Sequence, residues 1–285
     1  MRIDLHAHST ASDGSDSPAA LVGAAARAGL DVLAITDHDT TEGWDEAAAE
    51  AAQRGITLVR GIEVSCHAEC ADGMPSVHLL AYLPDPHDAT LVREMRRTRE
   101  SRERRAERIV AALARVVDIS YEDVLAQVED GATIGRPHIA DALVSRGVVR
   151  DRDEAFRTYL FTGSPYYAPH YAPDAVDAVR MVLAAGGIPV LAHPFAWKRG
   201  PHLDESIIEE MAAAGLVGLE AHHPEHTGEG VHRTLDLARA LGLLVTGSSD
   251  YHGTGKVQGL GDRTTDPQVY EQLVSHPHAT AVLTP

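Results

Sequence analysis

The chain has 285 residues, 44% of them hydrophobic and 24% charged, a mixture that supports a sizeable core and excludes wholesale disorder. Its 25 basic residues face 42 acidic ones, and the resulting net charge of −17 argues against a surface built to coat nucleic acid or to adhere to anionic membranes. With only Cys66 and Cys70, no run approaching the ~20 apolar residues of a membrane span and no signal-peptide pattern in MRIDLHAHST, the expectation is a soluble protein of the reduced cytoplasm.

The first β-type run, Ile3 to Leu5, stops at His6-Ala7-His8. Ser17-Pro18 then supplies an N-cap and a first-turn proline for a helix to about Ala28, which Gly29 closes. The apolar run 32–35 reads as a buried strand ending at Thr36-Asp37-His38-Asp39. A helix over 41–53 leads past Gly55 to Thr57-Leu58-Val59, then Gly61-Ile62-Glu63-Val64, and on to a run from His78 to Tyr82. Further along, runs at 188–192, 217–219 and 243–246 end at His193-Pro194, at Glu220-Ala221-His222-His223 and at Ser249-Asp250-Tyr251-His252. Alternation of this kind argues a parallel sheet whose functional groups gather at the carboxyl ends of the strands. Between residues 88 and 171 the strand signal gives way to helices predicted at 88–116, 121–128, 137–144 and 151–161. The expected organisation is therefore an α/β barrel from 1–87 and 172–285 with an inserted helical lobe at 88–171.

Two histidines two residues apart, as at His6 and His8, are a weak metal signal by themselves. Their company strengthens it, because Asp13, His38, Glu63, His78, His193, Asp250 and His252 mostly follow apolar runs directly. Carboxylates gathered on one barrel rim without partners are costly, and cations relieve that cost. Mixed nitrogen and oxygen donors suit Zn, Mn or Fe. Three ionised carboxylates, Asp13, Glu63 and Asp250, leave a local excess of positive charge once two or three divalent ions are bound, and such a site favours an oxyanion. The eight arginines from Arg93 to Arg108 are interleaved with glutamates at helical spacing. They read as a self-paired, solvated helix, the alternative being a border of the site that guides an oligonucleotide.

The order His6-x-His8, Asp13-Gly14, Thr36-Asp37-His38-Asp39, Gly61-Ile62-Glu63, His78, Ala192-His193-Pro194 and Ser249-Asp250-x-His252 resembles the PHP family, named for polymerase and histidinol phosphatase. The resemblance implies a distorted, TIM-like (β/α)7 barrel with two or three divalent ions, manganese first among Mn, Zn and Fe. It implies that His6, His8, Glu63 and Asp250 hold one ion, that Glu63 bridges to a second held by His78 and His193, and that Asp13, His38 and His252 hold a third. Asp13 stands where many relatives have histidine. Asp37 and Asp39 are expected to orient His38 or shuttle protons, a turn acceptor or N-cap being the plainer reading of each.

Gly135-Arg136-Pro137-His138 is similar to the signature of the small-nucleotide phosphoesterase branch, which implies phosphate contacts for Arg136 and His138. The Glu220 to His223 strand end implies a substrate contact for His223, with His222 structural. That branch usually carries a basic residue where this chain has Ser164, and Lys198 and Arg199 are expected to be solvated rather than to replace it. The implied reaction is hydrolysis of a nucleoside 3′,5′-bisphosphate or mononucleotide by metal-activated water attacking phosphorus in line. Exonucleolytic trimming of short 5′-phosphorylated RNA, histidinol phosphate hydrolysis, C–N bond hydrolysis of the amidohydrolase type and a non-catalytic binding module are the alternatives. A lysine ligand would favour the amidohydrolase, and no strand end identified above carries one.

Overall fold

In the computed structural model, described for residues 1–71, 73–196, 203–277 and 280–285, seven strands form one sheet in sequence order. They are β1 (Ile3–Asp4), β2 (Val32–Ile35), β3 (Thr57–His67), β4 (Ser76–Tyr82), β5 (Ile188–Leu191), β6 (Gly218–His222) and β7 (Leu244–Gly247). The sheet curls until the segment after β1 meets the segment after β7. Ala7 bridges Tyr251 there in parallel, and His8 N–H donates to the Tyr251 carbonyl at 2.8 Å. The result is a nearly closed barrel of mixed α/β architecture.

The sheet is not wholly parallel, which corrects the sequence expectation. β3 is one continuous strand, pairing with β2 in parallel through residues 57–60 and with β4 antiparallel through residues 61–67; β4 also runs antiparallel to β5. The reason lies in the connection. Residues 68–75 are too few for a crossover, which needs about a dozen, so the chain folds back as a hairpin. His78 consequently lies near the beginning of its strand, opposite Ser65, and still faces the rim where the parallel strands end.

Side chains partition with the two-residue period of a strand. Ile3, Val32, Ala34, Val59, Leu80, Tyr82, Ile188 and Val190 form one core cluster. Leu33, Ile35, Leu58, Ile62, Leu79, Ala81 and Leu219 join another with the apolar faces of α1 (Pro18–Arg27), α2 (Trp44–Arg54) and α7 (Ala175–Ala184). Burial of these aliphatic side chains supplies most of the stabilisation, at about 1.5–3 kcal/mol for each fully buried one. The helix boundaries follow the local signals. Ser17 Oγ accepts from Ala20 N at 3.2 Å, and Gly55, at φ 71°, closes α2 in the left-handed region that glycine adopts without strain.

Residues 88–171 fold as α3 (Ala89–Leu113), α4 (Tyr121–Leu125), α5 (Arg136–Ser145), α6 (Arg152–Ala155) and a π turn at Phe156–Leu160. Their apolar side chains, from Ala106 to Ala168, make a core of their own. Helices α8 (Glu205–Ala213), α9 (Gly228–Leu241) and α10 (Pro267–Val274) complete the molecule. Among the described residues no helix is long and apolar enough to cross a membrane. Lys198 and Arg199 lie outside the described residues.

Candidate metal centre

Every strand sends at least one polar side chain to the same rim. His6, His8 and Asp13 follow β1, His38 follows β2, Glu63 and His78 face each other from β3 and β4, His193 follows β5, Glu220 and His223 come from the end of β6, and Asp250 and His252 follow β7. Except for His78, which is partly exposed, all are buried. The local backbone is bent to achieve this. His193 at φ 29° and Asp250 at φ 51° occupy the left-handed region, as does Asp39 at φ 54°, and backbone held there by its surroundings is typical of functional positions.

Glu63 is the hub. Its Oε2 lies 3.2 Å from His6 Nε2, 3.0 Å from His8 Nε2 and 3.3 Å from His38 Nδ1, while Oε1 lies 2.7 Å from His78 Nδ1 and 3.1 Å from His193 Nε2. Asp250 Oδ1 approaches His6 Nε2 at 3.5 Å and His8 Nε2 at 3.4 Å. Asp13 stands beside His8 at 3.7 Å, His38 at 3.9 Å and His252 at 3.3 Å. The ring nitrogens of His6 and His8 are only 3.1 Å apart and converge on the same carboxylate oxygen. Lone pairs aimed at one point from two imidazoles and two carboxylates are the donor arrangement a divalent cation requires, so these residues fit the group. Among the described residues four sets have donor atoms close enough to share an ion: His6, His8, Glu63 and Asp250; His6, His193 and Glu220; His8, Asp13 and His38; and His38, Glu63 and His78.

The electrostatics carry the same message. Burial pushes His8 down, but hydrogen bonds to Asp250 and Glu63 outweigh it and lift the imidazole to about 9. Burial likewise opposes the charge on His6, yet Glu63, Glu220 and Asp250 hold it well above the usual imidazole value. Burial raises Glu63, and His78, His38 and His6 overcome it to hold the carboxyl well below its ordinary range. Asp250 is held well below in the same way, burial being outweighed first by Lys256 and then by His6 and His252. The cluster neutralises itself with protons that bound cations would displace.

Residues 4–131 match the PHP domain. A 3′,5′-nucleoside bisphosphate phosphatase of Chromobacterium violaceum is 36% identical over 255 residues, covering 89% of this chain and 88% of its own length. A phosphoribosyl 1,2-cyclic phosphate 1,2-diphosphodiesterase of Eggerthella lenta is 35% identical over 269 residues, covering 92% and 99%. Among solved structures, a candidate metal-dependent phosphoesterase of Bifidobacterium adolescentis superposes with a TM-score of 0.92 at 40% identity over 98% of this chain and 96% of that one. The chain belongs to the PHP family.

Several side chains of this PHP rim take places that sequence reasoning left open or missed. Asp37 accepts from Ser9 N at 2.8 Å and from the Ser9 and Ser12 hydroxyls at 2.6 Å, so it ties down the loop that carries Asp13 rather than bonding His38. Asp39 accepts from Ser65 N at 2.8 Å and Arg102 Nε at 3.0 Å. Glu220, fully buried, receives the His193 backbone N–H at 3.0 Å and lies 3.1 Å from His6 Nδ1, fixing the His6 ring and the backbone that carries His193. Its signal was visible, a carboxylate directly after the apolar run of β6. Lys256 Nζ sits 2.5 Å from Asp250 Oδ2, and nothing in its glycine-rich surroundings announced it. His223 Nε2 shares that same oxygen at 3.2 Å. His222 is exposed.

Beside the rim lies a cluster of arginines. Arg102 and Arg105 on α3 are both buried and Arg136 opens α5. Arg105 donates to the Ala168 carbonyl at 2.9 Å, and burial together with Arg136 and Arg102 pulls it below the usual arginine value. Burial and the same arginines hold His170 down to about 2, and its buried Nδ1 has no hydrogen-bond partner among the described residues. The arginine-rich helix thus divides. Its outer residues pair with glutamates, as Arg97 does with Glu94 at 3.8 Å, while Arg102 and Arg105 turn inward. His138 accepts Gly135 N–H on Nδ1 at 3.0 Å, and burial lowers it against the opposing pull of Asp13. Arg136 Nη1 donates to the Leu160 carbonyl at 2.9 Å. Ser164 serves its own turn, donating to the Tyr159 carbonyl at 2.6 Å.

Proposed function

We propose that this PHP chain is a metal-dependent phosphoesterase that removes a phosphate from a small nucleotide carrying a second phosphate, a nucleoside 3′,5′-bisphosphate being the substrate of choice. The observation that carries the reading is the pairing of the Glu63-centred donor set with the neighbouring arginines Arg102, Arg105 and Arg136. Arg105, buried and held below the usual arginine value by its burial and by Arg136 and Arg102, is a cation that a nearby anion would relieve.

In this reading His6, His8, Glu63 and Asp250 hold one ion, Glu63 is shared with a second held by His78 and His193, and Asp13, His38 and His252 hold a third. Two or three ions of manganese, zinc or iron, manganese first, would supply Lewis-acid charge to the phosphoryl oxygens and an acidified water as nucleophile. The chain's own residues do the rest. With Nδ1 of His138 accepting Gly135 N–H, its neutral ring carries the proton on Nε2, which meets the Ser12 carbonyl and would be turned to a phosphoryl or leaving-group oxygen when substrate binds. His223 orients Asp250, and Glu220 fixes His6. Arg136, with Arg102 and Arg105 behind it, takes the second phosphate. The two free cysteines suit action in a reducing cytoplasm.

The similarity to a bisphosphate phosphatase supports a monoester substrate; that to a cyclic phosphate diesterase favours, as a second reading, the same chemistry on a diester, which includes trimming of 5′-phosphorylated RNA. Steady-state kinetics on a nucleoside 3′,5′-bisphosphate, the 3′-monophosphate, a cyclic phosphate and a short 5′-phosphorylated RNA decide between them. Loss of the 5′-phosphate is expected to lower kcat/KM at least about tenfold, the scale of one charged hydrogen bond. Arg136→Ala is expected to erase that preference. Equal kcat/KM for bisphosphate and monophosphate would refute the second anion position, and faster turnover of the cyclic phosphate or RNA would install the diesterase.

A further inference from the structure

We propose that Lys256 is a substrate-phosphate ligand of the metal centre, its ammonium leaving Asp250 to donate to an oxygen of the phosphate being hydrolysed. The inference rests on the phosphoesterase reading and adds a contact to it.

The first ground is position. Lys256 Nζ stands 2.5 Å from Asp250 Oδ2, so it reaches the centre of the cluster, yet its side chain is 24% exposed where Asp250 is 2% exposed. It therefore enters from the open side of the rim, where a phosphate must also enter. The second is charge. An ammonium on a carboxylate that also serves divalent ions is repelled by those ions at close range, and an arriving phosphate dianion attracts it more strongly than a half-neutralised Asp250. Asp250 does not lose its anchor when the lysine moves, because His223 Nε2 keeps the same oxygen at 3.2 Å.

The third ground is that the loop bearing Lys256 is built to stay in place. Asp4, fully buried, accepts Ser249 N–H at 3.0 Å and Gly261 N–H at 2.8 Å, pinning both ends of the loop to β1. Ser15 Oγ accepts Thr254 N–H at 2.8 Å. Arg152 reaches over from the helical lobe, forked onto Asp141 with two bonds of 2.6 Å, and lies so close to Gly255 that a Cβ there would meet its Nη1 at 2.1 Å. The loop backbone is thus held at Ser249, Thr254 and Gly261, while the four-carbon stem of Lys256 can swing. A further ground is residue choice. Lys256 and Lys198 are the only lysines among 25 basic residues. A compact ammonium on a flexible stem can change partners within one small site, which the wide planar fork of arginine does less readily.

The test is titration of the manganese-loaded protein with inorganic phosphate by calorimetry, in wild type and in Lys256→Met and Lys256→Arg, with metal content and melting temperature measured on each. The expected result is phosphate binding weakened at least about tenfold in Lys256→Met at unchanged metal content, with partial recovery in Lys256→Arg. Lys256→Gln replaces the methionine variant should that one fail to fold. Wild-type phosphate affinity in Lys256→Met would overturn the proposal. So would parallel loss of metal and phosphate, which would make Lys256 a positioning residue for Asp250. Wild-type protein that binds manganese but neither binds phosphate nor hydrolyses any phosphoester would instead overturn the phosphoesterase reading itself, and the proposal with it.

Discussion

Metal affinity should climb steeply with pH, and the slope follows from His8. Fully buried between Glu63 and Asp250, its imidazole is held at about 9, so at pH 7 only about one molecule in a hundred has it neutral. A ligating nitrogen must be unprotonated, and at pH 7 that requirement costs about 3 kcal/mol of binding free energy. Affinity for manganese should therefore rise at least about tenfold for each unit between pH 7 and about 9. His6, also held well above the usual value by Glu63, Glu220 and Asp250 against its burial, adds a second proton and steepens the rise. Competition with a metallochromic chelator at several pH values gives the affinity, and a pH-indicator dye in weak buffer counts the protons released. Affinity that is flat over this interval, with no proton release, would refute the self-neutralised cluster described above.

The same groups set the stability of the metal-free protein. His8 is raised above its unfolded value of about 6.5, so its contribution is fully present below that pH and is lost as pH rises through about 9. Glu63, Asp250 and Asp13 are depressed, so theirs is present above about pH 4 and lost as pH falls through their folded values. A melting temperature of the metal-free protein that is highest in the interval between and falls on both sides is expected; one that keeps rising towards pH 9 would contradict the assignment. His193→Ala and Asp250→Ala should each lower turnover by at least about a hundredfold with measurable loss of bound metal, and full activity in either would remove that residue from the ligand set. Gly14→Ala would place a Cβ 2.3 Å from the His8 carbonyl oxygen, a backbone contact that cannot yield cheaply. It should cost about 2–3 kcal/mol in chemical denaturation and weaken metal binding, whereas wild-type stability would show that the loop relaxes without strain.

Much of the barrel was legible because its signals are local. Apolar runs with helix caps between them at Ser17, Gly29 and Gly55 fix where strands and helices begin, and the polar residues directly after those runs fall on the rim. The direction of β4 was harder to read, since alternation looks alike in both directions, and only the shortness of the 68–75 connection carries the information. The family resemblance implied that Asp37 orients His38 or shuttles protons, a turn acceptor being the plainer reading. The bonds of Asp37 go instead to Ser9 and Ser12, across two strands, where sequence proximity has no bearing. The inward turn of Arg102 onto Asp39 and Ser65 joins two distant segments, and the fold of the loop that brings Lys256 back to Asp250 is irregular, so no periodicity within one segment encodes either.

The most direct test of the central claim is phosphate release from a nucleoside 3′,5′-bisphosphate by manganese-loaded protein, with and without chelator and after adding manganese back. The account predicts turnover that the chelator abolishes and manganese restores. Release that persists in chelator, or no release from any phosphoester by protein shown to contain its metal, would contradict it.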